Sequence, residues 1–305
     1  MKYYIIPLLL LFNFSNVFCQ IKLAPEKTTK VNKPQKVKPK DVKPWKTDGK
    51  FTFLFNQSAF SNWVPGGDNS LAGNIKVNYN FNYKKRNFIW NNKIIASYGL
   101  TKNSSTDFPK KTADGLMFNS LFGFDAEGFW FYSILVNFKT QFAKGYKYSK
   151  DANGKEIRTL HTDFMSPGYL LIGPGMLWEK SKNLKFNLAP ATTKFVFVNK
   201  AFTLPNKKYF GVEEGKSLRL ELGFSASVLY KFNVMENMTM ENVLAFFSNY
   251  LDNPQNIDLN YILNIDMKIN KYFSTDFIFQ IIYDDNAFKG FQVREVFGLG
   301  INYNF

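Results

Sequence analysis

After Cys19 the chain has no cysteine, and its single histidine is His161. Disulfides, thiol catalysis and cysteine metal sites are therefore excluded from the folded part. No stretch beyond the first twenty residues reaches the ~18 to 20 consecutive apolar residues of a membrane helix. Mean hydropathy is −0.24, which reads as soluble, but strands that alternate apolar and polar side chains average out in the same way. Aromatic residues, by contrast, are abundant at 18% of the chain, with 34 phenylalanines. That is excessive for one soluble core. It is expected of a surface that faces lipid.

Residues 1–19 read as a secretory signal. Lys2 supplies the charged start, and Ile5 to Phe12 is an apolar core too short to span a bilayer. Cleavage after Cys19 leaves Gln20 first. Lipidation at Cys19 is disfavoured by Phe18 before it and by Asn16.

The formal charge of +15 is concentrated near the start: Ile21 to Lys50 holds ten lysines against Glu26, Asp41 and Asp48. Residues 20–49 are accordingly predicted as a disordered Lys/Pro-rich tail, extended and unable to bury enough surface to fold. Its expected partners are anionic cell-wall material, lipid headgroups or an envelope protein complex. Nucleic acid is not expected behind an export signal.

From Lys50 onward the pattern is period two. Leu71, Gly73, Ile75, Val77, Tyr79, Phe81 and Tyr83 share one face against Asn74, Lys76, Asn78, Asn80 and Asn82. Ile257 to Ile269 repeats it, and Phe291 to the final Phe305 closes the chain in the same way, as outer-membrane chains commonly finish. These runs outlast the ~5 to 6 residues of a usual soluble strand and meet the ~9 to 11 that a tilted membrane strand needs. Twelve strands are predicted, at 50–60, 69–83, 87–100, 114–125, 128–143, 168–178, 183–198, 216–232, 237–248, 257–270, 272–284 and 291–305. Long and tight connections alternate between them. The expectation is an all-β chain whose residues 50–305 form an antiparallel transmembrane β-barrel, with both termini periplasmic.

Several residues invite functional readings. Lys76, Arg219, Glu221, Glu241, Asp258, Asp266, Lys268, Asp276 and Arg294 fall on the inward side of their strands. Both signs occur in comparable number, which favours a salt-bridged filling over an ion-selective pore. In the first outer loop, Trp63, Gly66, Gly67, Asp68 and Asn69 form a distinctive string, either a tight hairpin or a seat for a sugar or partner loop. His161 and Ser166 share one long loop, yet no glycine-flanked serine signature accompanies them. Asp151-Ala152-Asn153-Gly154 resembles a calcium loop but lacks its further acidic positions, so a β-turn is expected.

The stretch Gln57 to Trp63 with Gly66-Gly67-Asp68-Asn69-Ser70-Leu71, followed by Trp90-Asn91-Asn92 and Tyr98-Gly99, resembles an uncharacterised family of exported proteins from Bacteroidota. The resemblance implies an outer-membrane barrel and carries over no catalytic residue. The expectation is thus a structural or accessory envelope component without enzymatic activity, cofactor or metal. The alternatives are a small-solute channel and, remotely, an outer-membrane lipase.

Overall fold

A computed structural model of the chain describes residues 43–61, 67–204 and 208–305. Fourteen strands occur among them: β1 (Trp45–Ser58), β2 (Ser70–Lys85), β3 (Phe88–Asn103), β4 (Lys110–Glu127), β5 (Trp130–Thr140), β6 (Gly145–Lys150), β7 (Glu156–Thr162), β8 (Gly168–Ser181), β9 (Leu184–Phe197), β10 (Leu218–Met235), β11 (Met238–Asn249), β12 (Ile257–Lys268), β13 (Phe273–Asp284) and β14 (Phe288–Asn304). Twelve of them close into an antiparallel barrel, with β1 meeting β14. They are the twelve strands predicted. The remaining two, β6 and β7, form a separate hairpin in the long connection between β5 and β8.

The outer face follows from the alternation. Phe291, Val293, Phe297, Leu299, Ile301 and Tyr303 of β14 all point outward and are exposed. At the end of the barrel that carries the tight turns, aromatic rings form a belt. Trp45 lies 5.1 Å from Tyr83 and 5.6 Å from Trp90, and Trp90 stacks on Phe122 at 4.8 Å. Amphipathic rings collect where hydrocarbon gives way to water.

Two boundaries differ from the sequence expectation. First, β1 begins at Trp45, inside the segment 20–49 expected to be disordered. Its early residues have partners: Trp45 pairs with Tyr83, and Gly49 exchanges backbone hydrogen bonds with Phe305. Second, the alternation of long and tight connections fails at the last hairpin. β14 starts at Phe288, so only residues 285–287 join it to β13, and a register shift at Tyr283/Asp284 accommodates the turn. The signal, most of the Lys/Pro tail, Trp63 and Gly66 lie outside the described residues.

At the end carrying the longer connections, residues 198–204 and 208–217 fold over the barrel mouth. Val212 packs with Val196 and Val198 in a small apolar cluster joined by Tyr169, Phe202, Tyr209 and Phe210. This cap roofs the lumen.

Candidate functional site

The lumen is the one part of the barrel where charge concentrates away from solvent. At the turn end, Lys50 of β1 binds Asp266 of β12 and lies 3.9 Å from Asp276 of β13. Ser274 donates to Asp276. It also accepts from Asn302 Nδ2 at 2.7 Å, and Thr52 Oγ1 donates to Asn302 Oδ1 at 2.8 Å. Next to this group, Lys93 Nζ on β3 lies 3.7 Å from Glu241 Oε1 on β11. Those strands are six places apart in a ring of twelve, so the pair bridges opposite walls. Lys231 approaches the other oxygen of Glu241 at 3.8 Å. Glu179 takes Lys185 at 3.1 Å and Asn91 at 3.4 Å.

At the loop end the pairs are drier. Glu221 is 2% exposed and lies between Lys194 at 3.4 Å and Arg219 at 3.0 Å. Lys194 also donates to Asp258 at 2.7 Å. Arg219 reaches Asp252 at 3.5 Å and donates to Asn286 Oδ1 at 2.5 Å. Glu221, Lys194 and Asp258 each meet a charge of opposite sign, which is the condition for tolerating them in a low-dielectric interior.

Of the nine inward charges read from the sequence, Arg219, Glu221, Glu241, Asp258, Asp266 and Asp276 enter this network. Lys76, Lys268 and Arg294 make no ion pair among the described residues. The cations that complete it, Lys50, Lys93, Lys185, Lys194 and Lys231, were missed. Lys194 was legible in principle, since its outward neighbours Phe195 and Phe197 place it inward. The irregular pairing of β8 and β9 between Ile172 and Met176 blurs that phase.

A cavity of about 70 Å³ opens beside the loop-end network, lined by Arg219, Glu221, Asn249, Asp252, Asp258 and Asp285. Asp258, Asp284 and Asp285 bring one oxygen each within 4.8 Å of one another. Sequence reading saw no such carboxylate cluster because Asp258 is remote in the chain from the other two. Three carboxylates supply fewer than the six to eight oxygens that calcium takes, and Lys194 already occupies Asp258.

The other candidates resolve into supports for loops. Asp68 accepts from Ser105 at 2.7 Å, and Asn69 Oδ1 accepts from the Phe60 amide at 2.5 Å, tying the first two outer connections together. Ser166 is buried and its hydroxyl accepts from the Asn199 amide at 2.9 Å. His161 instead meets Tyr209 edge-on at 5.7 Å and lies 6.3 Å from Phe210. Burial, and then Lys147, hold its imidazole below the ordinary histidine value. Burial pushes the Tyr209 phenol up to about 12. The Gly154 amide donates to the Asp151 carbonyl at 3.0 Å, closing a β-turn, and Asp151 Oδ1 accepts from the Asn153 and Lys155 amides.

A closed antiparallel barrel, apolar outside and charged within, defines the chain as a β-barrel of the outer-membrane type. Residues 55–146 match the model of a family described as a protein of unknown function (DUF3078). No curated protein matches the chain. Among solved structures, it is similar to the translocator domain of the autotransporter NalP from Neisseria meningitidis, at 9% identity and a TM-score of 0.40, covering 88% of this chain and 90% of that one. It is also similar to the COG4313 outer membrane channel from Pseudomonas putida F1, at 9% identity and a TM-score of 0.39, covering 88% and 99%. The beta domain of the Bordetella autotransporter BrkA follows at 8% identity and 0.35, covering 86% and 100%.

Proposed function

We propose that the protein is exported to a bacterial outer membrane and serves there as a structural or accessory component of the envelope, without enzymatic activity. Its lumen is a packed interior rather than a conduit. The observation that carries this reading is the Lys93–Glu241 pair at 3.7 Å, which joins walls on opposite sides of the ring. A solute path between the same walls has to break that contact and then pass the Lys194–Glu221–Arg219 group under the cap that Val198, Phe202 and Val212 help to form. Both termini face the periplasm in this reading, since the short turns lie at their end of the barrel. The Lys/Pro segment ahead of Trp45 then reaches anionic cell wall or an acidic partner.

The test is single-channel recording of the purified barrel in planar bilayers. Little or no steady conductance is expected. A stable, ion-selective opening overturns the proposal in favour of the small-solute channel, for which Lys76 and Arg294, inward cations without an ion pair among the described residues, supply a rationale. Removal of residues 24–44 should leave membrane insertion intact and abolish salt-sensitive co-sedimentation with cell wall. Unchanged retention at low salt removes the tether.

A further inference from the structure

β1 and β14 close the barrel along only part of the length of β14. β1 and β14 pair from Lys50↔Asn304 to Phe55↔Leu299, and no further. β14 continues to Phe288 and is paired with β13 on its other side, apart from the irregularity at Tyr283/Asp284. From Phe288 to Phe297 it is therefore unpaired on the β1 side among the described residues.

The phase of the hydrogen bonds says which groups are left. Gly49 and Phe305 exchange both of their backbone bonds, so odd-numbered residues of β14 aim their amides and carbonyls at β1. Even-numbered residues aim the other way, as the Asn302 amide does on reaching Tyr272. Among the described residues, no backbone partner meets the N–H and C=O groups of Phe297, Glu295 and Val293 across this seam. Unpaired backbone groups along a strand edge are a template for pairing with another chain.

A second observation falls on the same edge. Along the outward row of β14, from Phe291 to Tyr303, Glu295 is the only side chain charged at neutral pH. It stands between Val293 and Phe297, and its cross-strand neighbour is Phe279. An ionisable group in such surroundings marks a contact. The described part of the preceding loop does not supply one. Its Phe60 amide turns to Asn69, and Asn69 binds the Ser104 amide, away from β14.

We propose that this seam is a docking edge for an extended segment of a partner envelope polypeptide, added as a strand beside β14. Backbone pairing satisfies the groups of Phe297, Glu295 and Val293. The partner's outward row is apolar with one Lys or Arg opposite Glu295, and its inward row is polar, facing Gln292 and Arg294. The inference rests on the reading of the protein as an accessory component and names the surface through which it acts.

Two measurements on the full chain in cells test it, with heat-dependent gel mobility confirming folding of each variant. Continuation of the existing register would place Gln57 opposite Phe297, so the double variant Gln57→Cys/Phe297→Cys reports self-closure. It is expected to stay reduced; complete disulfide formation shows that β1 closes the seam and overturns the proposal. Next, a photo-crosslinking side chain is placed at Val293 or Phe297, with Phe277 on the doubly paired β13 as control. The expected result is an adduct to one peptide segment of another protein, with partner contacts alternating residue by residue. Phe277 should give none, and Glu295→Arg should abolish the adduct. Adducts only to lipid, to residues 59–69 of the same chain or to a second copy overturn the proposal. Bilayer conductance decides the accessory reading independently, so the two failures are distinguishable.

Discussion

Gly49 and Phe305 hold each other by two backbone hydrogen bonds, at 2.7 and 3.0 Å, and the Phe305 ring lies over the bare α-carbon of Gly49. The last residue of the chain thus locks the first strand where the barrel closes. The ring also stacks 6.1 Å from Tyr79 and 6.0 Å from Tyr303. Any β-carbon at position 49 enters the space of that ring.

Gly49→Leu should therefore weaken closure by about 1–3 kcal/mol, the usual range for overpacking. Gly49→Ala should cost less, since a single methyl needs only a shift of the terminal ring. The fraction of protein giving the fast-migrating folded band on a mild-detergent gel measures this. Equal folded fractions for Gly49→Leu and the native chain would show that the contact does not matter.

Glu221 is held by two cations and nearly sealed from water, so its partners should be expensive to remove. Lys194→Met leaves Asp258 without its hydrogen bond and Glu221 with Arg219 alone. A loss of about 3–5 kcal/mol is expected for breaking such a buried group, read from urea unfolding in detergent. Adding Asp258→Asn should restore part of it, because the uncompensated charge is then gone. No recovery would argue that packing around the lysine stem dominates.

The cross-lumen pair offers a way to open the interior. Lys93→Ala with Glu241→Ala removes the side chains that join β3 to β11. Single-channel recording should then show brief openings absent from the native barrel. Silent bilayers with a folded double variant would place the principal barrier at the loop end, beneath the cap.

The hairpin β6–β7 should respond to pH through His161. The folded imidazole titrates below its ordinary value, about 6.5, so the undocked hairpin binds protons more readily than the docked one. Packing of His161 on Tyr209 and Phe210 is then complete above pH ~6.5 and weakens as the pH falls below it. Hydrogen exchange of Tyr146 to Leu160, corrected for the intrinsic effect of pH, should accelerate between pH 7.5 and 5.5. His161→Phe should remove that dependence. An equal response in the variant would assign the titration elsewhere.

Strand number and facing were legible because period two is a local property. Phe51, Phe53 and Phe55 follow one another outward whatever the rest of the chain does, and twelve such runs exist. The start of β1 was not legible. Trp45 to Gly49 continue a lysine-rich segment, and only contact with Tyr83 and Phe305 makes them a strand. The β6–β7 hairpin was hidden for a related reason: its short strands carry no sustained alternation and are held by neighbouring loops. Arg158, for example, lies over the rings of Phe108 at 4.7 Å and Tyr146 at 4.4 Å.

Alternation along the chain settles which side of each strand meets lipid, and hence that a closed sheet with a charged interior forms. It carries no information about which inward charges meet. Lys93 and Glu241 are remote in the chain and on opposite walls, and Lys50 reaches Asp266 only because β1 returns to β14. Register, stagger and closure decide those pairings, and they are properties of the whole ring. The open seam between β1 and β14 has the same origin. Each strand taken alone is regular, and the missing partner is visible only where the two ends of the sheet meet.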